Sequence, residues 1–206
     1  MLHFIYACDL ANYPQLQTTM FQDRARQFKD RLKWDVSVDD QGWERDQYDD
    51  LNPLYVILSD GGRHAASMRL LPTTGPTMVN DHFDNLLPDG RLHSAQIWEC
   101  TRFCLAPGQG TAAASALQLG GGHIMQRFGV DHLVGVFDKL MTRIYRGIGA
   151  SPDVMGTDNG ICAGLWSFDD ASFADLSRRA GIALDQVDTW FADSLATMGQ
   201  GNANRP

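Results

Sequence analysis

The stretch from Gln96 to Phe137 limits most sharply what this chain can fold into. It holds one apolar run, QIWECTRFCLA, then TAAASALQLGGGHIMQRF, then a second apolar run, DHLVGVF. The outer runs read as strands and the middle one as a helix. A strand, a crossover helix and a second strand make a βαβ unit, whose two strands lie parallel. Three consecutive glycines, Gly120, Gly121 and Gly122, weaken that helix by propensity. They predict either a distortion or a close approach to whatever the helix covers.

The rest of the chain is arranged around that unit. LHFIYAC reads as a strand. Pro14 can open a helix, in which Leu16, Met20, Phe28 and Leu32 recur at multiples of four and which should end near Trp34. Residues 35–53 are acid-rich, carry Gly42 and Pro53, and read as a long loop. LYVILSD and HAASMRLL flank Gly61-Gly62 and predict a hairpin. Residues 72–95 should be mostly irregular. DKLMTRIYRGIG reads as a helix with a glycine stop, GICAGLWSF as a strand, and 170–180 and 185–198 as helices. The expected fold class is α/β (α+β mixed), a twisted mixed central sheet with helices on both faces. It forms one domain over residues 1–198, with a frayed tail at 199–206. Ligands of such sheets sit where neighbouring strands diverge.

Composition narrows the function. A chain of 206 residues, 44% hydrophobic and 20% charged, can bury a core without metals or disulfides. Its formal charge is 17 − 25 = −8, which argues against nucleic acid as a partner. No apolar run approaches the roughly 20 residues that cross a bilayer, so no membrane insertion is expected. MLHFIYACDLANYPQ has no basic leader, which points to the cytoplasm. Cys8, Cys100, Cys104 and Cys162 lack zinc-ribbon spacing and read as free thiols. The six histidines form no HxH or HExxH pattern, so no metal site is expected. Basic residues nevertheless cluster at Arg24, Arg26, Lys29, Arg31 and Lys33, and again at Arg143 and Arg146. Such clusters are either a solvated helix face or a dock for something acidic.

Several charges stand where charges are rare. Arg69 ends an apolar strand, and Glu99 and Arg102 lie inside another. In a regular strand, positions 99 and 102 face opposite sides. Either one of them meets solvent, or a bulge turns both toward one site. Arg24 and Phe28 share a helix face, and Asp46 and Asp49 share one if their segment turns helically. Arg24, Arg69 and Arg102 offer planar donors to a carboxylate. Asp46, Asp49 and Glu99 can hold an ammonium, and Phe28 and Trp34 can face a cation or stack on a base. S-adenosylmethionine would use all three sets, although a generic amino acid or amine fits nearly as well.

In their order and spacing, Arg24, Phe28, Trp34, E-x-D-x-Y-D at 44–49, RLLPTTGPTM at 69–78, Phe83 and WE-x-x-RF at 98–103 resemble the acyl-homoserine-lactone synthases, the autoinducer synthases of quorum sensing. The resemblance covers roughly residues 1–150. Thr101 stands where many members carry serine, and the triple glycine is unusual. The family is similar in fold to the GNAT N-acyltransferases, in which two central parallel strands splay to admit an acyl thioester. The resemblance implies acyl transfer from acyl carrier protein or coenzyme A to the amine of S-adenosylmethionine. Lactone closure and release of methylthioadenosine would follow. S-adenosylmethionine would be a substrate, and no cofactor, metal or covalent enzyme intermediate is implied.

The same resemblance assigns residues. Glu99, Arg69, Arg102 and Asp46 form the catalytic group, with Glu99 as proton acceptor. Arg24, Phe28, Trp34, Asp46, Asp49, Arg69, Arg102 and Phe103 form the S-adenosylmethionine site. The backbone N–H groups of Phe103 and Cys104 are expected to stabilise the oxyanion. Ile97, Leu133, Val136, Met141, Thr142 and Ile144 are expected to line the acyl pocket, with Thr142 as a hint of 3-oxo chains. The basic clusters acquire a use as a dock for an acidic carrier protein. Two other activities fit less of this pattern: a GNAT-like N-acyltransferase that uses acyl-CoA and another amine, and a non-catalytic module that binds a carrier protein.

Overall fold

The computed structural model describes the backbone of residues 1–201 and the side chains of residues 1–196. Among these residues, seven strands form one sheet in the order β1-β2-β3-β4-β5-β7-β6. They are β1 (Leu2–Tyr6), β2 (Leu54–Asp60), β3 (Arg63–Pro72), β4 (Ile97–Leu105), β5 (His132–Asp138), β6 (Asp153–Asp158) and β7 (Ile161–Trp166). Only β4 and β5 pair in parallel; the other neighbours are antiparallel. The expected βαβ unit is therefore present, joined by α3 (Thr111–Phe128). The β2–β3 hairpin turns on Gly61 and Gly62 at φ 55° and 75°, the left-handed pair that a tight two-residue turn demands.

The helix α3 is continuous through its three glycines, so of the two alternatives the close approach is correct. A Cβ on Gly120 would lie 2.7 Å from Val56 Cγ1, and one on Gly121 2.6 Å from Met68 Cε. One on Gly122 would lie 3.0 Å from the Phe173 ring. Two glycines thus bring α3 down onto the sheet, and the third admits α5 (Asp170–Ala180). The main core lies on this face, with Leu2, Phe4, Val56, Met68 and Leu133 packed under Leu117 and Ile124. The last helix, α6 (Leu184–Gly201), closes it through Val187 and Phe191.

The opposite face carries α1 (Pro14–Ala25), which continues as a π-helical turn over Arg26–Arg31. Leu16, Met20 and Phe21 pack on Ile5, Tyr55 and Ile57. The short α2 (Met78–His82) covers the other half of that face, with Val79, Leu86 and Leu87 over Val134 and Ala163. After β5, α4 (Met141–Ile148) ends at Gly149 in the left-handed conformation.

Two expectations need correction. The loop 35–53 contains a bridge between Val38 and Glu44 and a 3-10 turn over Gln47–Leu51. No strand is expected from sequence at β6; it is a polar edge strand with mostly exposed side chains, so it shows no apolar alternation. The tail expected to fray overlaps the end of α6, which is helical to Gly201, and positions 202–206 of that expectation lie outside the described residues.

One irregularity positions the site. The strands β4 and β5 pair only at Ile97–His132, Trp98–Leu133 and Glu99–Val134. Beyond Glu99 they run on to Leu105 and Asp138 without pairing each other. Among the described residues no helix is long and apolar enough to cross a membrane.

Candidate active site

A bulge settles where the two charges of β4 point. Ser67 pairs with Cys104 but Arg69 with Thr101, so Met68 alone stands opposite both Arg102 and Phe103. Arg102 takes φ 53°, the left-handed conformation that a non-glycine residue holds only when its surroundings require it. The extra residue keeps Arg102 on the face of Glu99 and Thr101, and sends Phe103 to the other face, where its ring meets Tyr145 edge-on at 6.5 Å.

Three guanidiniums and three carboxylates converge on the α1 face. Arg24 donates from Nε to Glu44 at 2.6 Å and through both Nη atoms to Asp49 at 3.0 and 2.9 Å. Arg69 donates from Nε to Thr101 Oγ1 at 3.0 Å and grips Asp46 at 2.5 and 3.1 Å. Its Nη1 also lies 3.0 Å from Asp49 Oδ1. Arg102 reaches Glu44 Oε1 at 2.9 Å and Asp46 Oδ2 at 2.7 Å. The six charges sum to zero. Pairing of this kind is what makes full burial of Arg24, Arg69, Glu44 and Asp49 tolerable.

The chain around them fixes the carboxylates. Asp46 and Asp49 cap the 3-10 turn reciprocally, each side chain accepting a backbone N–H of that turn. Tyr55 donates to Asp49 at 2.6 Å. Burial acts to raise the Asp49 pKa, but Arg24, Arg69 and the Tyr55 hydroxyl outweigh it and hold this carboxyl well below the usual range.

Glu99 differs from the other acids. It is 1% exposed and lies at the last β4–β5 pair. Its Oε1 accepts from Val79 N–H at 2.5 Å and its Oε2 from Met78 N–H at 3.1 Å. Desolvation pushes its pKa up to about 7, outweighing the two amides and the nearby Arg69. It is thus a carboxyl able to take or give a proton near neutrality.

In front of this cluster opens a cleft of about 590 Å³. Asp35, Asp39, Glu44, Asp46 and Asp50 line it against only Arg45 and Arg102, together with Tyr48, Met78 and His82. With Glu44, Asp46 and Arg102 balanced inside the cluster, Asp35, Asp39 and Asp50 against Arg45 leave the cleft an acid surplus that favours a cation. Beside it, Arg102 lies 5.3 Å over the Phe28 ring. Trp34 stacks on the outer side of Phe28 at 5.1 Å, within 13° of parallel, and is half exposed.

The expected site residues therefore separate by position. Asp46 and Arg102 reach the cleft, and Phe28 and Trp34 stand beside it. Arg24, Asp49 and Arg69 form the buried frame behind, with every guanidinium nitrogen engaged by the chain. The Phe103 ring lies on the opposite face from this cluster. Glu44 joins Arg24 to Arg102, yet its only sequence signal is its place in the 44–49 motif; alone it reads as one more acid in a polar loop. Thr101 and Tyr55 likewise give no sign of their partners.

The six acyl-pocket candidates do not form one lining. Leu133 and Met141 belong to the α3-side core, whereas Ile97 and Val136 pack on the α2 side. Ile144 is half exposed. The Thr142 hydroxyl donates to its own turn, at Lys139 O, 2.8 Å away. Period-two alternation in β5 explains the division, since neighbours along a strand serve opposite faces. The thiols of Cys100 and Cys104 are each pushed up to about 12, chiefly by burial, and so remain protonated.

A mixed sheet covered on both faces, whose parallel strands part beside a buried titratable carboxyl, defines a GNAT-like N-acyltransferase fold. An acyl-CoA N-acyltransferase from Pseudomonas aeruginosa superposes with a TM-score of 0.54 at 12% identity, over 80% of this chain and 97% of its own. The autoinducer synthase family profile matches residues 10–164, and the chain belongs to that family. It is 35% identical over 192 residues to an acyl-homoserine-lactone synthase of Rhizobium etli, across 87% of this chain and 90% of that protein. The structure of TofI in a ternary complex with an inhibitor and MTA aligns with a TM-score of 0.68 at 29% identity, over 82% of this chain and 91% of that one. The protein is an acyl-homoserine-lactone synthase, an acyltransferase that makes a quorum-sensing signal.

Proposed function

We propose that S-adenosylmethionine binds in the acidic cleft and that the acyl thioester enters where β4 and β5 part, with Glu99 between them as proton acceptor. The observation that carries this proposal is the position of Glu99: at the last β4–β5 pair, just behind Met78 of the cleft wall. The sulfonium and ammonium of the substrate match the acid surplus of the cleft, and Arg102 is available to its carboxylate. Trp34, half exposed, offers a ring face to the cationic or adenine end, with Phe28 stacked behind it.

The chemistry then follows in two stages. The substrate ammonium gives one proton to Glu99 and attacks the thioester carbonyl. The C–N bond forms, the C–S bond breaks, and a second nitrogen proton leaves with the thiol sulfur. The backbone N–H groups of Phe103 and Cys104, at and just after the bulge, are the proposed donors for the oxyanion. In the second stage the substrate carboxylate attacks the carbon next to the sulfonium, which departs as methylthioadenosine. Holding the two ends about 3–3.5 Å apart is the main demand on the protein. S-adenosylmethionine is consumed as substrate, and neither stage calls for a resident cofactor. The cytoplasm, where both substrates occur, is the proposed compartment.

For the donor we favour an acidic acyl carrier protein. The outer side of α4 presents Lys139, Arg143 and Arg146, all exposed, around Leu140 at 78% and Ile144 at 50% exposure. A basic rim around two apolar side chains suits an acidic amphipathic helix. The test is turnover of the purified chain with S-adenosylmethionine and a matched pair of donors, acyl carrier protein and acyl-CoA. Equimolar methylthioadenosine and N-acyl-homoserine lactone, by mass spectrometry, is the expected result. Acyl product without methylthioadenosine would defeat the proposal.

A further inference from the structure

Among the described residues, one buried side-chain polar atom has no hydrogen-bond partner, the Thr77 hydroxyl oxygen. Thr77 is 0% exposed and is the N-cap residue of α2. An N-cap threonine ordinarily accepts a hydrogen bond from one of the first free amides of its helix. Here Glu99 has taken that place, since its carboxylate receives the N–H groups of Met78 and Val79, the first two residues of the helix. The threonine hydroxyl is left as a spare donor and acceptor, one residue from an amide that binds Glu99.

An unsatisfied buried hydroxyl opposes folding, and this one lies one residue from an amide that binds the proposed proton acceptor. We propose that Thr77 is a positioning residue for acyl transfer: its hydroxyl and the Glu99 carboxylate together hold a single water that carries the substrate amine proton to Glu99. The water accepts the proton from the ammonium nitrogen and passes one of its own to a Glu99 oxygen. It ends as neutral water, and Glu99 as a neutral carboxylic acid. Each Glu99 oxygen accepts one amide in the structure and retains capacity for a second hydrogen bond. This inference rests on Glu99 as the acceptor.

Thr77→Val keeps the shape and removes the hydroxyl, whereas Thr77→Ser keeps the hydroxyl. Methylthioadenosine release is measured against pH at saturating substrates, beside thermal melting. For Thr77→Val the expected kcat falls about 10- to 100-fold, with KM for S-adenosylmethionine within about threefold of the parent. Its acid limb moves to higher pH, because the Glu99 anion loses a hydrogen-bond donor. Its melting temperature stays within about 5 °C of the parent, since the shape is kept and no direct protein contact is lost. Thr77→Ser restores most of kcat. An unchanged kcat and acid limb in Thr77→Val would overturn the inference. Glu99→Gln measured alongside separates the two levels. If it turns over normally, the acceptor role itself fails; if it is slow while Thr77→Val is normal, only the water fails.

Discussion

Arg69 and Asp46 meet in a two-point ion pair, Nη1 to Oδ1 at 2.5 Å and Nη2 to Oδ2 at 3.1 Å, with the arginine wholly buried and the aspartate at the cleft edge. The pair joins β3 to the acidic loop, and Arg69 also holds Thr101 on β4 and touches Asp49. Removing one member of a buried ion pair costs about 3–5 kcal/mol, because the partner is left charged and unpaired. Arg69→Ala takes a buried partner from both Asp46 and Asp49, leaving them Arg102 and Arg24, and empties a wholly buried position, so its melting temperature should drop by roughly 6–20 °C. Asp46→Asn leaves Arg69 its contact with Asp49 and borders water, so it should melt within about 5 °C of the parent while losing most activity. Calorimetry with parallel turnover assays checks both; equal destabilisation by the two variants would contradict the asymmetry.

Glu99 gives a pH prediction of definite sign. Its folded pKa, about 7, lies above its ordinary value of 4.5. Between those values the folded protein holds a proton that the unfolded chain has released. This group therefore lowers stability as pH rises from about 4.5 to about 7, and no further above that. Activity should run the opposite way, rising as the carboxyl ionises, with a midpoint near pH 7. Glu99→Gln should remove the stability slope and slow acyl transfer by about 10²–10⁴. Urea melts across pH 4.5–8, compared with the rate profile, provide the check; parallel profiles for the parent and Glu99→Gln would refute the assignment.

The triple glycine predicts an ordering of variants. Alanine at either Gly120 or Gly121 gains helix propensity worth up to about 1 kcal/mol. At Gly120 the new methyl meets Val56 Cγ1 at 2.7 Å, a β-branched side chain with little freedom to move. At Gly121 it meets chiefly the tip of Met68 at 2.6 Å, with Leu133 at 3.2 Å, and a methionine end can swing aside. Gly120→Ala should therefore cost about 1–3 kcal/mol, and Gly121→Ala distinctly less. Denaturant titration of the two variants ranks them, and a stabler Gly120→Ala would show that α3 can lift from the sheet at little cost.

Local pattern and tertiary geometry were not equally readable from sequence. The apolar runs at 54–60, 63–72, 97–105 and 132–138 named their own strands, because a strand buried on one or both faces must be apolar there. The polar edge strand β6 carries no such requirement, so nothing in DVMGTD announced it. The charges in IWECTRF announced a site, since an apolar strand does not keep Glu99 and Arg102 without partners. Which partners they have depends on the bulge at Arg102 and on the fold of the acidic loop. That is why Glu44, a plain loop acid by composition, became the link between Arg24 and Arg102. The acyl candidates are a mostly apolar set along β4, β5 and α4, and the pleat of β5 divides Leu133 from Val136.

The exposed side of α4 yields a prediction about the donor. Arg143 and Arg146 stand clear of the ion pairs that hold the site together, so reversing their charge should leave the fold and the cleft untouched. Charges at the rim of an encounter surface act mainly on association rate and are weakened by salt. Arg143→Glu with Arg146→Glu should therefore raise KM for an acyl carrier donor about tenfold or more, roughly 1.4 kcal/mol or more of lost binding. KM for S-adenosylmethionine and kcat should stay close to the parent. With the parent protein, added salt should raise the carrier KM, and the double variant should respond less. Acyl-CoA is itself anionic but small, so a surface built for a protein helix should affect it less than the carrier. Equal losses with both donors would mean that α4 serves the thioester arm and not a carrier protein, and unchanged KM for the carrier would remove α4 from the encounter altogether.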